Sequence, residues 1–592
     1  MSLKIDSLTI NNFRSFSNET PLPLSDLTAL VGYNNAGKSN ILSAVEWLIS
    51  SSSLKEDDFN DCNACVEVIA EIDGVNEGVL DRLGQAHRRR IERYLNNERV
   101  IVKRVQNEPN MKASDNKLWL YDEGQENWDY NPTGIDAAIK KLFPDVIRIK
   151  AMDDAAADAS KAKSTSTIGK LLKQVSTTME EAQKENIDRG LKEVRESLSA
   201  DGENRVEALE EVDGLMNQSI SSFFPKVNVK LDVPVPDFSE LLESGTIKIY
   251  EEGHVDGRPI QYYGHGAQRS IQMALIKLLA DIKGRIAEGD EPSTTLILID
   301  EPELYLHPFA INILASSFKK LSESGYQIIY STHSPQMINR DDFGATLLVR
   351  KSVDRGTYIR EPINVAVREV VRNPEHCQEL IYSLSHAAQI FFSEKIVLAE
   401  GKTEGRVIPE VYSILYEKSL GHDNIGITYL GGKDVYPKLH SIFDHIDLPA
   451  KFVTDLDFVF CSALSGFVID TNDDDYKALV DILCCNKEDW GVKLNDDCHP
   501  IKRGALLNAE QAFSRLAQED DAIKHIESLH NKFIHHNIWI WKKGSFEDHF
   551  GNESKNELGL LRYIRRINDE GAENVFPDPD GVREFFEWVR AS

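Results

Sequence analysis

The segment Gly32-Tyr33-Asn34-Asn35-Ala36-Gly37-Lys38-Ser39 follows the pattern G-x-x-x-x-G-K-S, and its flanks constrain the fold more than any other stretch of the chain. Leu27 to Val31 is an apolar run that enters the loop. Residues 39–50 leave it with Ile41, Leu42, Val45 and Leu48 at helical spacing. A strand, a glycine-rich turn and a helix in that order build a phosphate cradle, because loop N–H groups and the positive end of the helix dipole face the same anion. Lys38 is placed to reach terminal phosphates, and the Ser39 hydroxyl to hold Mg²⁺. Gly32, Asn35, Gly37, Lys38, Ser39 and Asn40 are therefore the candidate nucleotide contacts.

A downstream segment supplies what such a loop needs. Leu296-Ile297-Leu298-Ile299 has the continuous apolar character of a parallel strand buried on both faces, and it ends in Asp300-Glu301-Pro302. Asp300 is the candidate magnesium ligand, and Glu301 the candidate group to polarise an attacking water. His333 follows another apolar strand, at a position from which a side chain contacts a γ-phosphate.

A second acidic set lies further on. Glu400-Gly401 closes the apolar run Lys395 to Ala399, Glu404 opens the following helix, and Asp455 and Asp457 follow Lys451 to Thr454. On an extended strand end, residues two apart share a face, so Asp455 and Asp457 are expected side by side. Gly401 is expected to let the chain turn sharply. Carboxylates gathered at one sheet edge repel unless cations neutralise them, and hard oxygen ligands suit Mg²⁺ or Mn²⁺. Such ions activate water and stabilise the leaving oxygen of a phosphodiester. The same arrangement also serves strand passage or primer synthesis.

Composition bounds the rest. A chain of 592 residues with 41% hydrophobic and 28% charged residues is long enough for more than one domain. No apolar run approaches the ~20 residues that span a bilayer, and the opening segment is strand-like, so a cytoplasmic protein without a membrane segment is expected. The seven cysteines are scattered and expected to be reduced; Cys484-Cys485 with Cys498-His499 makes a poor zinc framework. The net charge of −29 repels nucleic acid at long range, so any DNA binding needs local basic groups or bound metal. The run His87-Arg88-Arg89-Arg90 with Arg93 is one such group, or simply the solvated face of a helix. Residues 154–222 lose proline and gain helical periodicity, a helical insertion broken near Ser199-Ala200-Asp201-Gly202. Strands are expected at Val227 to Leu231 and Ile247 to Tyr250, a linking helical stretch at 373–393, and an acidic irregular stretch at 470–500. Asp470 and Asp473 are further acidic candidates within it.

Several motifs resemble known families. Asn12-Phe13-Arg14-Ser15-Phe16, the Asp300-Glu301 strand end and Ser331-Thr332-His333-Ser334 resemble ABC-type ATPases of the SMC and RecF-like branch. Gly264-His265-Gly266-Ala267-Gln268-Arg269 stands where their signature segment lies, so the resemblance implies Gly266 and Gln268 as ATP contacts. It also implies head-to-tail, nucleotide-driven pairing of subunits. His265 replaces the usual serine and Ala267 the second glycine, which fits binding and sensing ATP more than rapid hydrolysis. Residues 391–404, Gly431-Gly432-Lys433 and Trp541-Lys542-Lys543-Gly544-Ser545-Phe546-Glu547-Asp548 resemble the Toprim domain of the OLD (overcoming lysogenisation defect) nucleases. That resemblance implies Glu400, Glu404, Asp455, Asp457 and Glu547 as metal ligands or metal-shell groups, with Lys543, or Lys542 one place earlier, facing the scissile phosphate.

The implied fold is α/β. An ABC-type ATPase in two parts (1–153 and 223–372) surrounds the helical insertion (154–222); linking helices (373–393) lead to a Toprim domain (394–592). The implied function is an ATP-binding, metal-dependent DNA endonuclease or nickase in antiphage defence, as a homodimer or homotetramer. Some relatives work beside a helicase, or with a retron reverse transcriptase and its DNA–RNA product. The alternative is an ATP-dependent DNA clamp without cleavage.

Overall fold

The structure, a computed structural model, describes residues 3–130, 132, 134–142, 146–151, 181–221, 223–224, 226–243, 245–252, 256–286, 296–338, 342–370, 373, 392–429, 436–446, 448, 450–501, 505–552 and 556–591. Residues 154–180, most of 373–393 and the Gly431-Gly432-Lys433 turn lie outside this set. The chain divides into two units that interleave in sequence, residues 1–28 with 39–332, and residues 29–38 with 333–592.

The first unit contains an antiparallel sheet of strands β1 (Lys4–Asn11), β2 (Thr20–Pro23), β4 (Val66–Asp73), β5 (Val100–Gln106), β6 (Leu118–Asp122) and β7 (Asn127–Tyr130), ordered β2-β1-β4-β5-β6-β7. β4 and β5 bury every second residue, the pattern of a sheet with one face covered. In the same unit β8 (Val146–Ile149), β11 (Leu296–Asp300) and β12 (Gln327–Thr332) pair in parallel around a fully buried β11. Part of the arginine run is ion-paired. On the helix Gln85–Glu92 Arg88 is tied to Glu77, Asp81 and Glu92, and just beyond it Arg93 to Asp129 and Asp122.

The described part of the insertion is a helical hairpin, Glu181–Leu198 and Glu207–Ser221, with its break at the expected place. The strand expected at Val227 to Leu231 does not form. Its backbone groups are claimed by side chains of the hairpin instead. Asn217 pairs with both backbone groups of Val229, Asp213 accepts from Leu231 N, and Arg205 donates to Leu231 O. Side-chain partners satisfy the main chain without a sheet. Among the described residues of this stretch, the two-residue β9 (Lys248–Ile249) pairs with β10 (Arg258–Pro259).

The second unit holds the phosphate loop and the C-terminal α/β layer. β3 (Leu27–Val31), which ends in this unit, pairs in parallel with β13 (Leu347–Ser352), and β13 pairs antiparallel with β14 (Gly356–Ile359). A four-stranded parallel sheet follows, of β15 (Lys395–Ala399), β16 (Ile425–Tyr429), β17 (Ala450–Thr454) and β20 (Ile538–Ile540), ordered β16-β15-β17-β20. The order reverses at β15, and in such open sheets ligands bind beyond the carboxyl ends of the strands at that point. One apolar core runs from Val31, Phe343 and Leu348 through Ile363 and Val367 to Leu439, Phe452 and Phe458. Tyr436 stacks on Phe452 at 3.8 Å between ring centroids. At the opposite strand ends, Lys395 and Lys451 donate to the last carbonyls of the helix Pro579–Arg590 and the residue after it, a favourable place for cations.

The stretch 470–500 is more regular than its composition implies. Asp473 accepts hydrogen bonds from Asp475 N and Tyr476 N and opens a helix over Asp474–Asn486. Acidic residues in a first turn favour the helix dipole, so the charges that hide the periodicity stabilise the element. The helix packs on Asp520–Ile534 through Asp475, which is bound by His525, Ser528 and Lys532. These partners hold the Asp475 carboxyl below its usual range despite the opposing cost of desolvation. The two-stranded β18 (Lys493–Leu494) and β19 (Pro500–Ile501) complete the segment.

Phe452→Ala removes a ring that is 1% exposed and stacked on Tyr436. Chemical denaturation is expected to show a loss of about 3–5 kcal/mol in the transition of the second unit. Phe309→Ala, at 75% exposure, is expected to change stability by no more than about 0.5 kcal/mol.

Candidate functional site

The phosphate loop has the backbone its sequence requires. Asn35 and Gly37 take positive φ values of 65° and 110°. A side chain at Gly32 would place its Cβ 2.3 Å from the Val349 carbonyl oxygen, so only glycine lets the loop pass β13. Tyr33 Oη donates to Lys351 O at 2.6 Å and accepts from Lys351 N, and Thr357 Oγ1 donates to Ala36 O, which pins the loop to the same strand pair. Lys38 Nζ donates to the loop carbonyls of Gly32 and Tyr33 at 2.9 and 3.1 Å.

In the first unit, Ser39 Oγ donates to Asp300 Oδ1 at 2.9 Å, and Ser331 Oγ donates to the same oxygen. Arg148 Nη2 stands 3.7 Å from Asp300 Oδ2, with Arg148 Nε 3.6 Å from Glu46. Ser39, Arg148 and Asp300 face one cavity of about 570 Å³, together with Phe13, Arg14 and Trp47. Asn40 bridges to the opening motif, accepting from Arg14 Nη1 and donating to Ser15 Oγ. Glu301 sits at φ 46°, its N–H donating to Ser331. His333 is the first residue after β12 and is partly buried.

The signature segment packs within its own chain. Gln268 Nε2 donates to Tyr263 O at 2.7 Å, and a Cβ at Gly266 would lie 2.7 Å from Tyr305 O. Arg269, which the sequence reading passed over, is buried and donates to the carbonyls of Asp300 and Glu301 at 3.2 and 3.4 Å. It ties the start of the helix His265–Ile286 to the acidic strand end. Arg148 was missed too. A lone basic residue in a strand acquires meaning only when the neighbouring strand is known.

The second acidic set converges as expected. Glu400, Glu404, Asp455, Asp457 and Glu547 line one cavity of about 660 Å³ with Gly401, Thr403, Gly544 and Ser545. Thr454 Oγ1 donates to Glu400 Oε2 at 2.7 Å, and Phe546 N donates to Asp455 Oδ1 at 2.8 Å. The route differs from strand alternation. β17 ends at Thr454, and Asp457 opens the helix Phe458–Ser465, so a turn brings the two aspartates together. Gly401 is extended (φ −131°) and stands in the bend between β15 and the helix Lys402–Tyr416. Its absent side chain leaves room for Glu404, whose Oε2 would lie 2.9 Å from a Cβ there.

The segment beyond Asp457 contributes as well. Asn508, Ala509, Glu510 and Phe513 complete the cavity wall. Asn508 and Gln511 form a capping box that opens the helix Ala509–Leu516 and places Glu510 in its first turn. Asp470 and Asp473 go elsewhere, to a surface hollow where Asp473 pairs with Lys532 at 2.6 Å. Lys543 pairs with Asp578 at 2.9 Å, and Lys542 with Glu584 at 3.0 Å; Gly544, Ser545 and Glu547 are the residues of that segment that reach the cavity. Gly544 (φ 117°) lies so close to Ser514 that a Cβ would stand 2.6 Å from its Cα.

Electrostatics in the cavity disfavour uncompensated negative charge. Burial, then Glu400 and Asp457, push the Asp455 carboxyl well above its usual range. Burial, with Glu400 and Glu547 adding repulsion, raises Glu404 from 4.5 to about 7. Among the described residues, Glu361, Glu369 and His445 are the one trio of such side chains with ligand atoms all within 4.8 Å, so the cavity carboxylates stand further apart. That spacing suits Mg²⁺ or Mn²⁺ ions that keep part of their water shell between carboxylates. The donor set, all oxygen, fits these ions and no soft metal.

Comparison with known proteins places both sites in context. Residues 3–77 and 81–338 match the family described as AAA ATPase domain. Residues 391–457 match the overcoming lysogenization defect protein-like TOPRIM domain. The chain is 34% identical over 598 residues to the Old nuclease of Escherichia phage P2, covering 100% of both chains. It is 27% identical over 198 residues to an OLD nuclease of Thermus scotoductus, covering 33% of this chain and 35% of that one. A solved Smc head bound to the C-winged helix domain of ScpA is 17% identical, covering 60% of this chain and 96% of that one with a TM-score of 0.35. Among the described residues no helix is long and apolar enough to cross a membrane.

Two outcomes follow from the cavity. Glu404 binds its proton more tightly folded than unfolded, so its contribution to stability is full below pH 4.5 and is lost as pH rises through about 7. Without divalent metal, the melting temperature is expected to fall between pH 5.5 and 8. Mg²⁺ should restore it mainly at pH 8, and Glu404→Gln should flatten the slope. Glu510→Gln is expected to weaken Mn²⁺ binding, measured by titration calorimetry, by about 10–100-fold.

Proposed function

Because the chain belongs to the OLD nuclease family, an ATPase joined to a Toprim nuclease, we propose that it is a divalent-metal-dependent DNA endonuclease or nickase whose ATPase part controls assembly and cleavage. The observation that carries this reading is the cavity at the carboxyl edge of the β15–β17–β20 sheet, where Glu400, Glu404, Asp455, Asp457, Glu510 and Glu547 meet. Divalent ions held there supply an activated water and neutralise the leaving oxygen of a phosphodiester. The chain's own groups hold the rest in place. Thr454 orients Glu400, the Phe546 N–H orients Asp455, and Ser545 with Asp548 fixes the turn that presents Glu547. Lys543 is the proposed phosphate contact, which requires it to leave Asp578 when a strand binds. The six acidic walls explain why a chain of net charge −29 needs bound cations before it meets DNA.

ATP is the proposed regulator. Lys38 rests on the carbonyls of its own loop, and a triphosphate is the stronger partner for that ammonium. The loop belongs to the same unit and its strand to the same apolar core as the nuclease sheet, which supports a mechanical link between nucleotide and cleavage. Conflict between phages and their hosts is the proposed setting, in keeping with a full-length relative carried by phage P2.

The test uses purified full-length protein and supercoiled DNA. Nicked or linear product is expected with Mg²⁺ or Mn²⁺ and none with chelator. Glu400→Ala and Asp455→Ala should each lower the rate by more than about 100-fold. Cleavage that survives either substitution sinks the assignment.

A further inference from the structure

Beyond the nuclease cavity, the segment between the helix Asp474–Asn486 and the helix Ala509–Leu516 brings two thiols together. Cys484 lies in the last turns of the first helix. Cys498 lies in the turn between β18 and β19, at φ 60°, with its N–H on Asn495 O at 3.0 Å. The two side chains are neighbours in one hollow, and both are free and partly buried. They line one cavity of about 560 Å³ with Val492, Leu494 and Leu506, away from the cavity of the acidic set. The adjoining Cys485 is exposed.

We propose that Cys484 and Cys498 are a redox pair that closes to a disulfide on exposure to a hydroperoxide and reopens on reduction by a dithiol. Burial and the neighbouring sulfur push the Cys484 thiol up; Cys498, in the turn of the hairpin, is the attacking thiol of the proposed sequence. Its thiolate attacks one oxygen of hydrogen peroxide, the O–O bond breaks, and the departing hydroxide takes up a proton to leave as water. The resulting Cys498 sulfenic acid is attacked by the Cys484 sulfur, the S–O bond breaks, and a second water leaves with the Cys484 proton. In sum two thiols lose two electrons and two protons, and one peroxide becomes two waters. Closing the bond draws the sulfurs to about 2 Å. The movement falls on the hairpin, which is held by a two-residue strand pair and by Leu506 N donating to Gly491 O.

The consequence is local. The closed bond ties the helix Asp474–Asn486 to the hairpin that precedes Asn508 and Glu510 in sequence. The chain from 487 to 508 then loses freedom in the open state, as cross-linked loops do.

The test needs no nuclease assay, so it stands or falls apart from the proposed function. The full chain is treated with hydrogen peroxide, its remaining thiols are alkylated, and the digest is read by mass spectrometry. A cross-linked Cys484–Cys498 peptide that dithiothreitol opens is expected. It should persist in Cys485→Ser and vanish in Cys498→Ser. Amide exchange over 487–508 should slow by about ten-fold in the oxidised form. Full alkylation of both thiols after peroxide, or their conversion to sulfinic acids, overturns the proposal. So does a bond from Cys484 to Cys485.

Discussion

Like charges gathered at one sheltered sheet edge govern the C-terminal half of this protein. Asp455 is partly buried beside Glu400 and Asp457, and desolvation with their repulsion pushes its carboxyl well above the usual range. Such a cluster is unstable by itself, and backbone and hydroxyl donors hold two of its members and the turn that presents a third. Thr454, Phe546 N and Ser545 are the fixing groups, and each belongs to a strand end or a helix start. The parallel sheet brings β15, β17 and β20 to the same edge, so the geometry of three strands sets the geometry of the acids.

The nucleotide part follows the same logic with the opposite sign. Asp300 is one carboxylate facing cationic and hydroxyl partners, with Ser39 and Ser331 on one oxygen and Arg148 near the other. Arg269 fastens the carbonyls on either side of Glu301. Rigid placement of a single acid suits a site that senses a phosphate, whereas crowding of several suits a site that recruits cations.

Much of this was legible in the residue order. Glu400 and Asp455 follow short apolar runs directly, Glu404 opens the helix after the first of them, and a buried strand that ends in acid is visible in one dimension. Glu510 was not, because it reaches the cavity from a helix whose place depends on packing far from the other acids in sequence. Arg148 and Arg269 were hidden for the same reason. The strand expected at Val227 to Leu231 failed because Asn217, Asp213 and Arg205 capture its backbone. The helix Asp474–Asn486 was obscured because its acidic first turn, favourable to a helix dipole, has the composition of a loop. Gly401 stands in the expected bend, and its lack of a side chain also makes room for Glu404.

The passage of one apolar core from Val31 and Leu348 through Ile363 to Phe452 has a consequence for modularity. A boundary drawn at residue 394 separates two chemistries but cuts through shared packing. A fragment that began there would leave Leu439 and Ile442 without the Ile363 and Val367 they pack against, and would present a fresh oily face to solvent. Fusion of the two activities is thus written into the interior as well as into the order of the gene. Exchange of one half between relatives would demand matching substitutions across that seam.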